Sequence, residues 1–494
     1  MRWQLPAPAN EKMMMPRRTK IVATLGPATD DPTVMDNFIA AGVDVVRLNL
    51  SHDSHARHRE RAERFRERGL AIGHEVAVLM DLQGPKIRIG KFIEGKIELA
   101  LGATFAIDAQ CPIDAGDHSQ VGTTYTELAD DVCAGDTLLL DDGAIALQVI
   151  SVANGRIDCI VTVGGTLSNN KGINKKGGGL SAPALTDKDR DDIRFAAEID
   201  ADYLAVSFVR NGDDVRLARE LFYAAGGRGG IVAKIERAES LHEIDDIINA
   251  SDAIMVARGD LGVEIGDAEL PAVQKQLISR ARALNSVVIT ATQMMQSMIE
   301  HPIPTRAEVF DVANAVLDGT DAVMLSAESS IGHYPVKVVE ALHRICVEAE
   351  KNVTRSGHRL DSVFGRVDEA IAMAAMYTAN HLGVKAIAAL TETGSTVKWM
   401  SRIRSGIPIY AMTRFAPTRR KVKLFRGAYP VSFDVATTDM HEVNCEVIEE
   451  LLRRGTVRDG DLVIITKGDR SGVEGQTNIM KIMRVGEHRL LNED

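Results

Sequence analysis

The segment "AKIERAES" ends an apolar run with two opposite charges, Lys234 and Glu236, one residue apart. Side chains at this spacing on a strand share a face. Inside a protein neither charge is tolerated unless it is paired or bound to a ligand. A carboxylate suits Mg²⁺ and an ammonium suits a phosphoryl or enolate oxygen. The pair therefore indicates either a phosphoryl-transfer site or a simple internal ion pair.

The next apolar run ends in "VARGDLGVEIG", where Asp260 follows Gly259. A second carboxylate close to Glu236 would give a divalent-metal site with two protein ligands, which leaves room for water and substrate oxygens, as Mg²⁺ prefers. If Gly259 and Asp260 open a helix, their amides would also attract an anion. The alternative is a turn with a helix cap and no ligand.

An earlier run ends in "RLNLSH", in which Arg47, Asn49 and Ser51 alternate and should project from one face. A guanidinium flanked by neutral oxygen atoms suits a phosphate, whereas a solvated edge strand is the alternative. His52 follows directly and is a candidate nucleotide contact. At the end of "VVITATQ", Thr292 supplies a hydroxyl, for which a purely structural role is the alternative.

A third run ends in "MDLQGPKIRIG", where Asp81 is followed by Lys86 and Arg88. The two cations should point the same way from an extended segment after the Gln-Gly-Pro turn. One carboxylate and two cations are thus gathered at a strand end. Farther on, "SNNKGINKKGGGLS" offers Lys171 on a glycine-rich segment, either as part of a hinge or as a lysine that closes onto phosphate.

Eight short apolar runs would position these residues, and stretches with helical periodicity separate most of them, as in βα units. The runs cover residues 20–26, 43–50, 76–82, 203–208, 230–236, 253–259, 287–293 and 322–328. Nearly every run ends in charged or hydroxyl residues, which is where (β/α)₈ TIM barrels keep their active sites. We predict an α/β chain with such a barrel, and an open doubly wound sheet is the alternative. Ser240 and Glu243 fit a capping box for the helix after the fifth run.

The barrel is predicted to occupy residues 16–84 and 183–353. Residues 85–182, rich in hairpin signals such as "LQVISVANGRIDCIVTV", predict a small inserted all-β domain that acts as a lid. Residues 354–494 predict a C-terminal α/β domain with an open sheet, and residues 1–15 a flexible arm.

The composition excludes several classes of protein. The 494-residue chain carries a net charge of -11, which argues against a nucleic-acid partner. It has neither the roughly 18 consecutive apolar residues of a membrane helix nor a signal peptide, so we expect a cytoplasmic protein with no membrane partner. The basic cluster "TRRKVK" at 418–423 is read as solvated surface or as a docking point for a phosphorylated small molecule. No P-loop, GxSxG or HExxH motif is present.

Taken together, the motifs closely resemble the pyruvate kinase family from Thr19 onward. They are "TKIVATLGPAT", "VVRLNLSH", "MDLQGPKIR", "AKIE", "MVARGDLGVEI", "ATQMMQSM" and "PTRAEVFDVANAVLDGTDAVMLS". The resemblance implies transfer of the phosphoryl group of phosphoenolpyruvate to ADP, followed by protonation of the enolate to pyruvate. A catalytically silent phosphometabolite sensor and a Mg²⁺-dependent lyase on the same barrel are the rival interpretations.

The resemblance also implies roles for individual residues. Glu236 and Asp260 would hold Mg²⁺ or Mn²⁺, and Lys234 would stabilise charge on the phosphoryl group and the enolate. Arg47 and Arg88 would contact phosphate. The substrate carboxylate would lie against Gly259, Asp260 and Thr292, with Thr292 near the protonation path. ADP would meet Asn49, His52 and Lys171.

Family members that depend on K⁺ hold it at the positions of Asn49, Ser51, Asp81 and the carbonyl of Leu82, and they typically have Glu where this chain has Lys86. Members with Lys there resemble enzymes that work without K⁺. We therefore expect K⁺ not to be required, because a tethered ammonium supplies the charge. Asp81 is then expected to be the counter-charge of Lys86.

The segment "TETGSTVK" has the form of a phosphate nest and matches the family's sugar-phosphate effector loop. An ordinary turn is the alternative. The expected contacts with a phosphorylated allosteric activator are Thr391, Thr393, Gly394, Ser395 and Thr396. The family's habit also implies a homotetramer.

Overall fold

A computed structural model of the chain describes residues 16–352, 364–435, 440–468 and 477–490. The arm expected over residues 1–15 lies outside the described residues. Within these ranges, no helix combines the length and apolar character needed to cross a membrane.

The chain first forms three parallel strands with two intervening helices. They are β1 (Lys20–Thr24), α1 (Pro32–Ala40), β2 (Val45–Asn49), α2 (His55–Ala71) and β3 (Ala77–Asp81). The helices begin where the local sequence supplies a cap, since the side chains of Asp31 and Ser54 accept hydrogen bonds from first-turn amides.

An all-β region follows and has its own apolar core. Its strands are β4 (Lys96–Leu99), β5 (Thr104–Asp108), β6 (Gln120–Val121), β7 (Thr137–Leu140), β8 (Ile145–Ala153), β9 (Arg156–Val163), β10 (Gly165–Ser168) and β11 (Ile173–Lys175). Six of them form a sheet in the order β11-β7-β8-β9-β5-β6, and β4 pairs with β10. The predicted hairpin is β8–β9, and it turns at Asn154 and Gly155, both with positive φ.

The chain then returns to complete the barrel. The strands are β12 (Tyr203–Val206), β13 (Gly230–Ile235), β14 (Ala253–Ala257), β15 (Val287–Ala291) and β16 (Ala322–Leu325). The helices are α3 (Asp187–Glu198), α4 (Gly212–Ala224), α5 (Ile244–Ala250), α6 (Arg258–Ile265), α7 (Leu270–Ala283), α8 (Arg306–Asp318), α9 (Ala327–Ser330) and α10 (Pro335–Glu350). β16 pairs with β1 and closes the barrel, so all eight predicted runs are confirmed as barrel strands.

The predicted capping box at Ser240 and Glu243 is wrong. Ser240 lies in a 3₁₀ helix (Glu239–Leu241), where its hydroxyl donates a hydrogen bond of 2.6 Å to the Arg237 carbonyl. The helix α5 begins only at Ile244, and no side chain caps it. The hydroxyl is used to close the turn after β13 and is therefore not available as a cap.

The C-terminal region is an open α/β sheet, as predicted. Its strands are β17 (Ala386–Leu390), β18 (Ile409–Thr413), β19 (Ala428–Ser432), β20 (Leu462–Gly468) and β21 (Thr477–Arg484), in the order β19-β18-β17-β20-β21 with β21 antiparallel. Its helices are α11 (Val367–Leu382), α12 (Ser395–Ser401), α13 (Ala416–Val422), α14 (Met440–Arg453) and α15 (Glu487–Leu490).

Both interpretations of the basic cluster at 418–423 are wrong, because the cluster joins the C-terminal region to the barrel. Arg419 forms hydrogen bonds of 2.8 and 2.7 Å with the Glu75 carboxylate. Arg420 pairs with Asp200 and Asp202, each at 2.7 Å. These arginines are therefore engaged by the acidic residues of the barrel.

Candidate active site

Lys234 lies at the C-terminal end of β13, in the centre of a buried polar network. Its ammonium lies 2.8 Å from Glu236 Oε1, 3.2 Å from Asp81 Oδ1 and 2.7 Å from the Ser207 hydroxyl. The Lys234 side chain is only 11 % exposed, so these partners must stabilise its charge in place of water. The predicted contact between Lys234 and Glu236 is present, but it belongs to a larger network and is no isolated pair.

Arg47 approaches the same carboxylate from the neighbouring strand β2. Its Nε donates to Asp81 Oδ2 at 2.6 Å, and its Nη1 donates to the Thr24 hydroxyl at 3.0 Å. Asp81 is completely buried. Three adjacent strands, β1, β2 and β3, therefore fix the position of the guanidinium before any ligand arrives.

The titration of these groups reflects an excess of negative charge. Burial alone would lower the pKa of Lys234, but Asp81 and Glu236 outweigh it and raise that pKa. Burial raises the pKa of Glu236, Lys234 opposes the rise, and the nearby Asp260 carboxylate adds to it. For Asp81 the cations prevail over burial, since Lys234 and Arg47 lower its pKa. Lys234 therefore stays an ammonium ion at neutral pH.

Glu236 and Asp260 fit a divalent cation. Burial raises the pKa of Glu236 and the nearby Asp260 carboxylate adds to the rise, so a cation beside the two carboxylates would stabilise their charged forms. Phe208 fixes Glu236 by donating its backbone N–H to Oε2 at 2.8 Å. Among the described residues, no group of three or more His, Cys, Asp or Glu side chains is placed to hold a metal ion. Two carboxylates as the protein ligands suit Mg²⁺, which keeps several positions for water and substrate oxygens.

The helix α6 begins directly at the end of β14, with Gly259 and Asp260 in its first turn. The Gly259 N–H donates to the Thr292 hydroxyl at 2.9 Å, and that hydroxyl donates to the Ala291 carbonyl at 2.6 Å. Thr292 has a φ of 65°, an unfavourable conformation for a β-branched residue. Such strain is typical of functional sites. The structure thus brings Gly259, Asp260 and Thr292 together.

The expectation that Asp81 is the counter-charge of Lys86 is wrong. Lys86 Nζ lies 3.7 Å from Asp260 Oδ1, across the crevice between the lid and the barrel. Asp81 is unavailable because Arg47 and Lys234 already occupy its oxygen atoms.

Several predicted residues lie apart from the Lys234 network. In the lid, Arg88 Nη1 donates to the Asn170 carbonyl at 2.8 Å, and Lys171 pairs with Asp141 at 2.8 Å. Asn49 accepts a hydrogen bond of 3.1 Å from the Ser51 N–H, and the side chain of His52 is exposed.

The carbonyl of Leu82 accepts a hydrogen bond of 2.7 Å from the Ser207 hydroxyl. That hydroxyl in turn accepts a hydrogen bond from the Lys234 ammonium. Ser207 and Thr24 are two site residues that the sequence interpretation missed. Thr24 ends the strand β1, and Ser207 directly follows the strand β12. A search for polar residues at the C-terminal ends of the apolar runs would therefore have found both.

The candidate effector loop connects β17 to α12. Gly394 has a φ of 82° and donates its N–H to the Thr391 hydroxyl at 2.9 Å. The hydroxyls of Thr393 and Ser395 lie 3.0 Å apart, whereas that of Thr396 is buried against Thr477 at 2.7 Å. The loop therefore presents Thr393 and Ser395 more openly than Thr396.

At the C-terminal ends of the barrel strands a buried lysine lies among carboxylates, an arrangement suited to enzymes that stabilise a phosphoryl group or an enolate. The family models for the barrel domain and the alpha/beta domain of pyruvate kinase match residues 16–339 and 369–483. Pyruvate kinase II of Salmonella typhimurium is 55% identical over 95% of this chain and 99% of that protein. The pyruvate kinase of Mycobacterium tuberculosis is 42% identical over 96% and 99%.

The solved structure of a pyruvate kinase from Cryptosporidium parvum superposes with a TM-score of 0.88 at 35% identity, covering 95% of this chain and 96% of that one. The chain belongs to the pyruvate kinase family, and it is accordingly a phosphotransferase.

Proposed function

We propose that the protein transfers the phosphoryl group of phosphoenolpyruvate to ADP and releases pyruvate and ATP, the last step of glycolysis. The observation that carries this proposal is the Lys234 ammonium held between Glu236 and Asp81 at the C-terminal end of the barrel. Phosphoryl transfer needs positioning and electrostatic stabilisation more than covalent participation by the protein, and this network provides both. Membership of the pyruvate kinase family supports the same reaction.

Glu236 and Asp260 would hold Mg²⁺ or Mn²⁺, which when bound neutralises charge on the phosphoryl and enolate oxygens. Lys234 stabilises the negative charge that moves from the phosphoryl group to the enolate, because its raised pKa keeps it cationic throughout. Arg47 orients the phosphate, and Asp81 holds the guanidinium in place for this task. Arg88 approaches the phosphate from the lid.

The substrate carboxylate would lie at the start of α6, near the amides of Gly259 and Asp260. Thr292, whose hydroxyl already contacts the Gly259 N–H, lies on the path by which the enolate carbon receives its proton. We propose that ADP contacts Asn49, His52 and Lys171. Lys171 would have to leave Asp141 and move with the lid to take part.

Lys86 is proposed to replace the monovalent cation that relatives hold near Asn49, Ser51, Asp81 and Leu82. Its ammonium, 3.7 Å from Asp260, adds positive charge beside the metal ligands. K⁺ would then not be required.

Regulation and assembly complete the proposal. A phosphorylated metabolite would activate the enzyme at Thr391, Thr393, Gly394, Ser395 and Thr396, and four copies would associate in the cytoplasm. We divide the chain into an arm (1–15), a barrel (16–84 and 183–353), a lid (85–182) and a regulatory domain (354–494).

The test is a coupled assay with phosphoenolpyruvate, ADP and Mg²⁺ that follows pyruvate. Steady production of pyruvate and ATP is the expected result. A folded protein that binds these ligands without turnover would instead be a sensor, and consumption of phosphoenolpyruvate without ATP would indicate a lyase.

A further inference from the structure

A cavity between the barrel and the C-terminal region gathers four arginines around one carboxylate. It is lined by Arg282, Gly319, Asp321, Ser401, Arg402, Ile403, Arg404 and Arg426. Asp321 directly precedes β16, so the cavity lies at the N-terminal end of the barrel strands, opposite the candidate active site. We call it the arginine cavity.

Of these four arginines, Arg402 alone forms an ion pair with a carboxylate of the cavity lining, as far as the described residues show. Its guanidinium forms a two-point ion pair with Asp321 and donates a further hydrogen bond of 2.6 Å to the Ser286 carbonyl. Both side chains of the pair are 2 % exposed. Both oxygen atoms of Asp321 are therefore engaged by Arg402, and none of the other described residues that line the cavity is a carboxylate.

The other three guanidinium groups keep unused donors. Arg426 is 7% exposed, yet its Nε and Nη2 have no hydrogen-bond partner. Arg404 donates from Nη2 to the carbonyls of Leu317 and Asp318, at 3.1 and 2.9 Å, but its buried Nε has no partner. Arg282 forms no ion pair with any described residue and lies beside Arg404 at Gly319.

These cations also repel one another. Burial and then the charge of Arg404 lower the pKa of Arg282 to about 10, and burial lowers the pKa of Arg426. A buried guanidinium without a partner destabilises the folded state, because its lost hydration is not replaced. Gly319, with a φ of 103°, keeps the space open, since a Cβ there would lie 2.9 Å from Arg282 Nη1 and 3.0 Å from Arg404 Nη2.

We propose that the arginine cavity binds a small oxyanion of the size and charge of inorganic phosphate, held by Arg282, Arg404 and Arg426. The planar donors of arginine match the oxygens of such an ion. Ile403 is the one apolar side chain in the lining that the structure describes, whereas sites for organic ligands are mostly apolar, which favours a free inorganic ion.

An ion bound in the arginine cavity would act on the contact between the barrel and the C-terminal region. The helix α12 starts within the candidate effector loop, and Ser401 and Arg402 at its end line the cavity. The ion would join Arg282 of the barrel to Arg404 and Arg426 of the C-terminal region. It would therefore strengthen the contact between the two parts, whether or not the effector loop binds a ligand.

The test measures the Tm of the full-length protein against the concentration of inorganic phosphate, in sodium gluconate at constant ionic strength. The wild-type Tm should rise and saturate. Arg426→Gln and Arg282→Gln should each weaken the apparent affinity about tenfold or more, since each removes charge-assisted hydrogen bonds. Without phosphate, Arg426→Gln should have a higher Tm than the wild type, because an unpaired buried charge is gone.

Two control variants show whether the rise in Tm comes from phosphate bound in the arginine cavity or at another site. Lys234→Met and Thr393→Ala alter the other candidate phosphate sites and should keep the rise in Tm. A rise that survives both arginine substitutions, or one that disappears in Lys234→Met or Thr393→Ala, would overturn the proposal. Crystals soaked in selenate should show an anomalous peak among the three guanidinium groups, and a map without this peak would count equally against it.

Discussion

Lys86 Nζ lies 3.7 Å from Asp260 Oδ1, so the lysine at the start of the lid faces a carboxylate proposed to bind the metal. Both side chains are partly exposed, at 32 % and 26 %, and an ion pair of this kind contributes only about 0–1 kcal/mol to stability. The ion pair matters for its electrostatic effect, because Lys86 places a fixed positive charge beside the candidate active site.

Lys86→Glu is expected to create a requirement for K⁺. The wild-type enzyme, assayed in tetramethylammonium buffer, should change little when KCl is added. The variant should be activated about tenfold or more, which corresponds to about 1.4 kcal/mol. Lys91→Glu, an exposed charge reversal in the same lid, is the matched control and should behave like the wild type. Strong K⁺ activation of the wild-type enzyme would contradict the proposed role of Lys86.

Lys234→Met should lower kcat by about 1,000-fold, because the main electrostatic stabiliser of the transferring group is lost. Binding of Mn²⁺, followed by electron paramagnetic resonance, should remain measurable, since Glu236 and Asp260 stay. Lys351→Met, at an exposed position after α10, should leave kcat unchanged. A near-normal kcat in Lys234→Met would remove this residue from the mechanism.

Thr292→Val keeps the side-chain shape but removes the hydroxyl that accepts the Gly259 N–H. We expect kcat to fall about 100-fold if this hydroxyl serves the protonation of the enolate. Thr292→Ser should restore most of the activity. The decisive measurement is exchange of the pyruvate methyl protons with D₂O, which should slow in Thr292→Val and recover in Thr292→Ser; equal exchange rates would argue for a structural role only.

Glu264 predicts a pH-dependent stability. Burial, and after it the neighbouring Glu239, raises the pKa of Glu264 to about 7, although the Ala238 N–H, Arg237 and Asn174 oppose the rise. The folded protein therefore holds a proton that the unfolded chain releases, and this group makes stability fall as the pH rises from about 4.5 to 7.

Glu264→Gln should remove that contribution. Its Tm should match the wild-type Tm near pH 4.5 and exceed it by a growing margin up to about pH 7, where the difference becomes constant. Differential scanning calorimetry at several pH values measures this. A constant offset between the two proteins at all pH values would show that Glu264 does not titrate in this range.

Thr393→Ala should weaken activation by a sugar monophosphate or a nucleoside monophosphate and leave basal kcat unchanged. The reason is that the Thr393 hydroxyl, 3.0 Å from that of Ser395, is one of the partly exposed hydroxyl groups of the candidate effector loop. The concentration of effector at half-maximal activation is the quantity to compare. Ser432→Ala, an exposed hydroxyl in the same region, is the control, and equal effects of the two substitutions would count against the loop.

The barrel could be predicted because each strand is a short apolar run that ends in polar residues, and this pattern is local. The pairing of Lys234 with Glu236 was also local, since the two residues share one strand end. The contact of Gly259 with Thr292 depends instead on the neighbouring strands β14 and β15, which pair Ala257 with Ala291. Neither sequence segment alone indicates that these two strands are neighbours.

The errors arose where residues distant in sequence compete for one charge. Asp81 was assigned to Lys86 by proximity along the chain, but Arg47 and Lys234 reach it from other strands. Arg419 and Arg420 looked like free surface charge because Glu75 and Asp202 lie far away in the sequence. Sequence spacing predicts which charges share an element, and only the tertiary fold decides which partner binds each of them.

The helix α6 connects Asp260, a proposed metal ligand, to the lid. Asp260 lies in its first turn, and near its end the Glu264 carbonyl accepts the Gly177 N–H of the lid connection at 3.0 Å. Because coupling between two sites is reciprocal, a cation that restrains Asp260 must favour the docked lid as much as the docked lid favours the cation. The Gly177 amide is thus a reporter of site occupancy, and its hydrogen exchange should slow when Mg²⁺ is added.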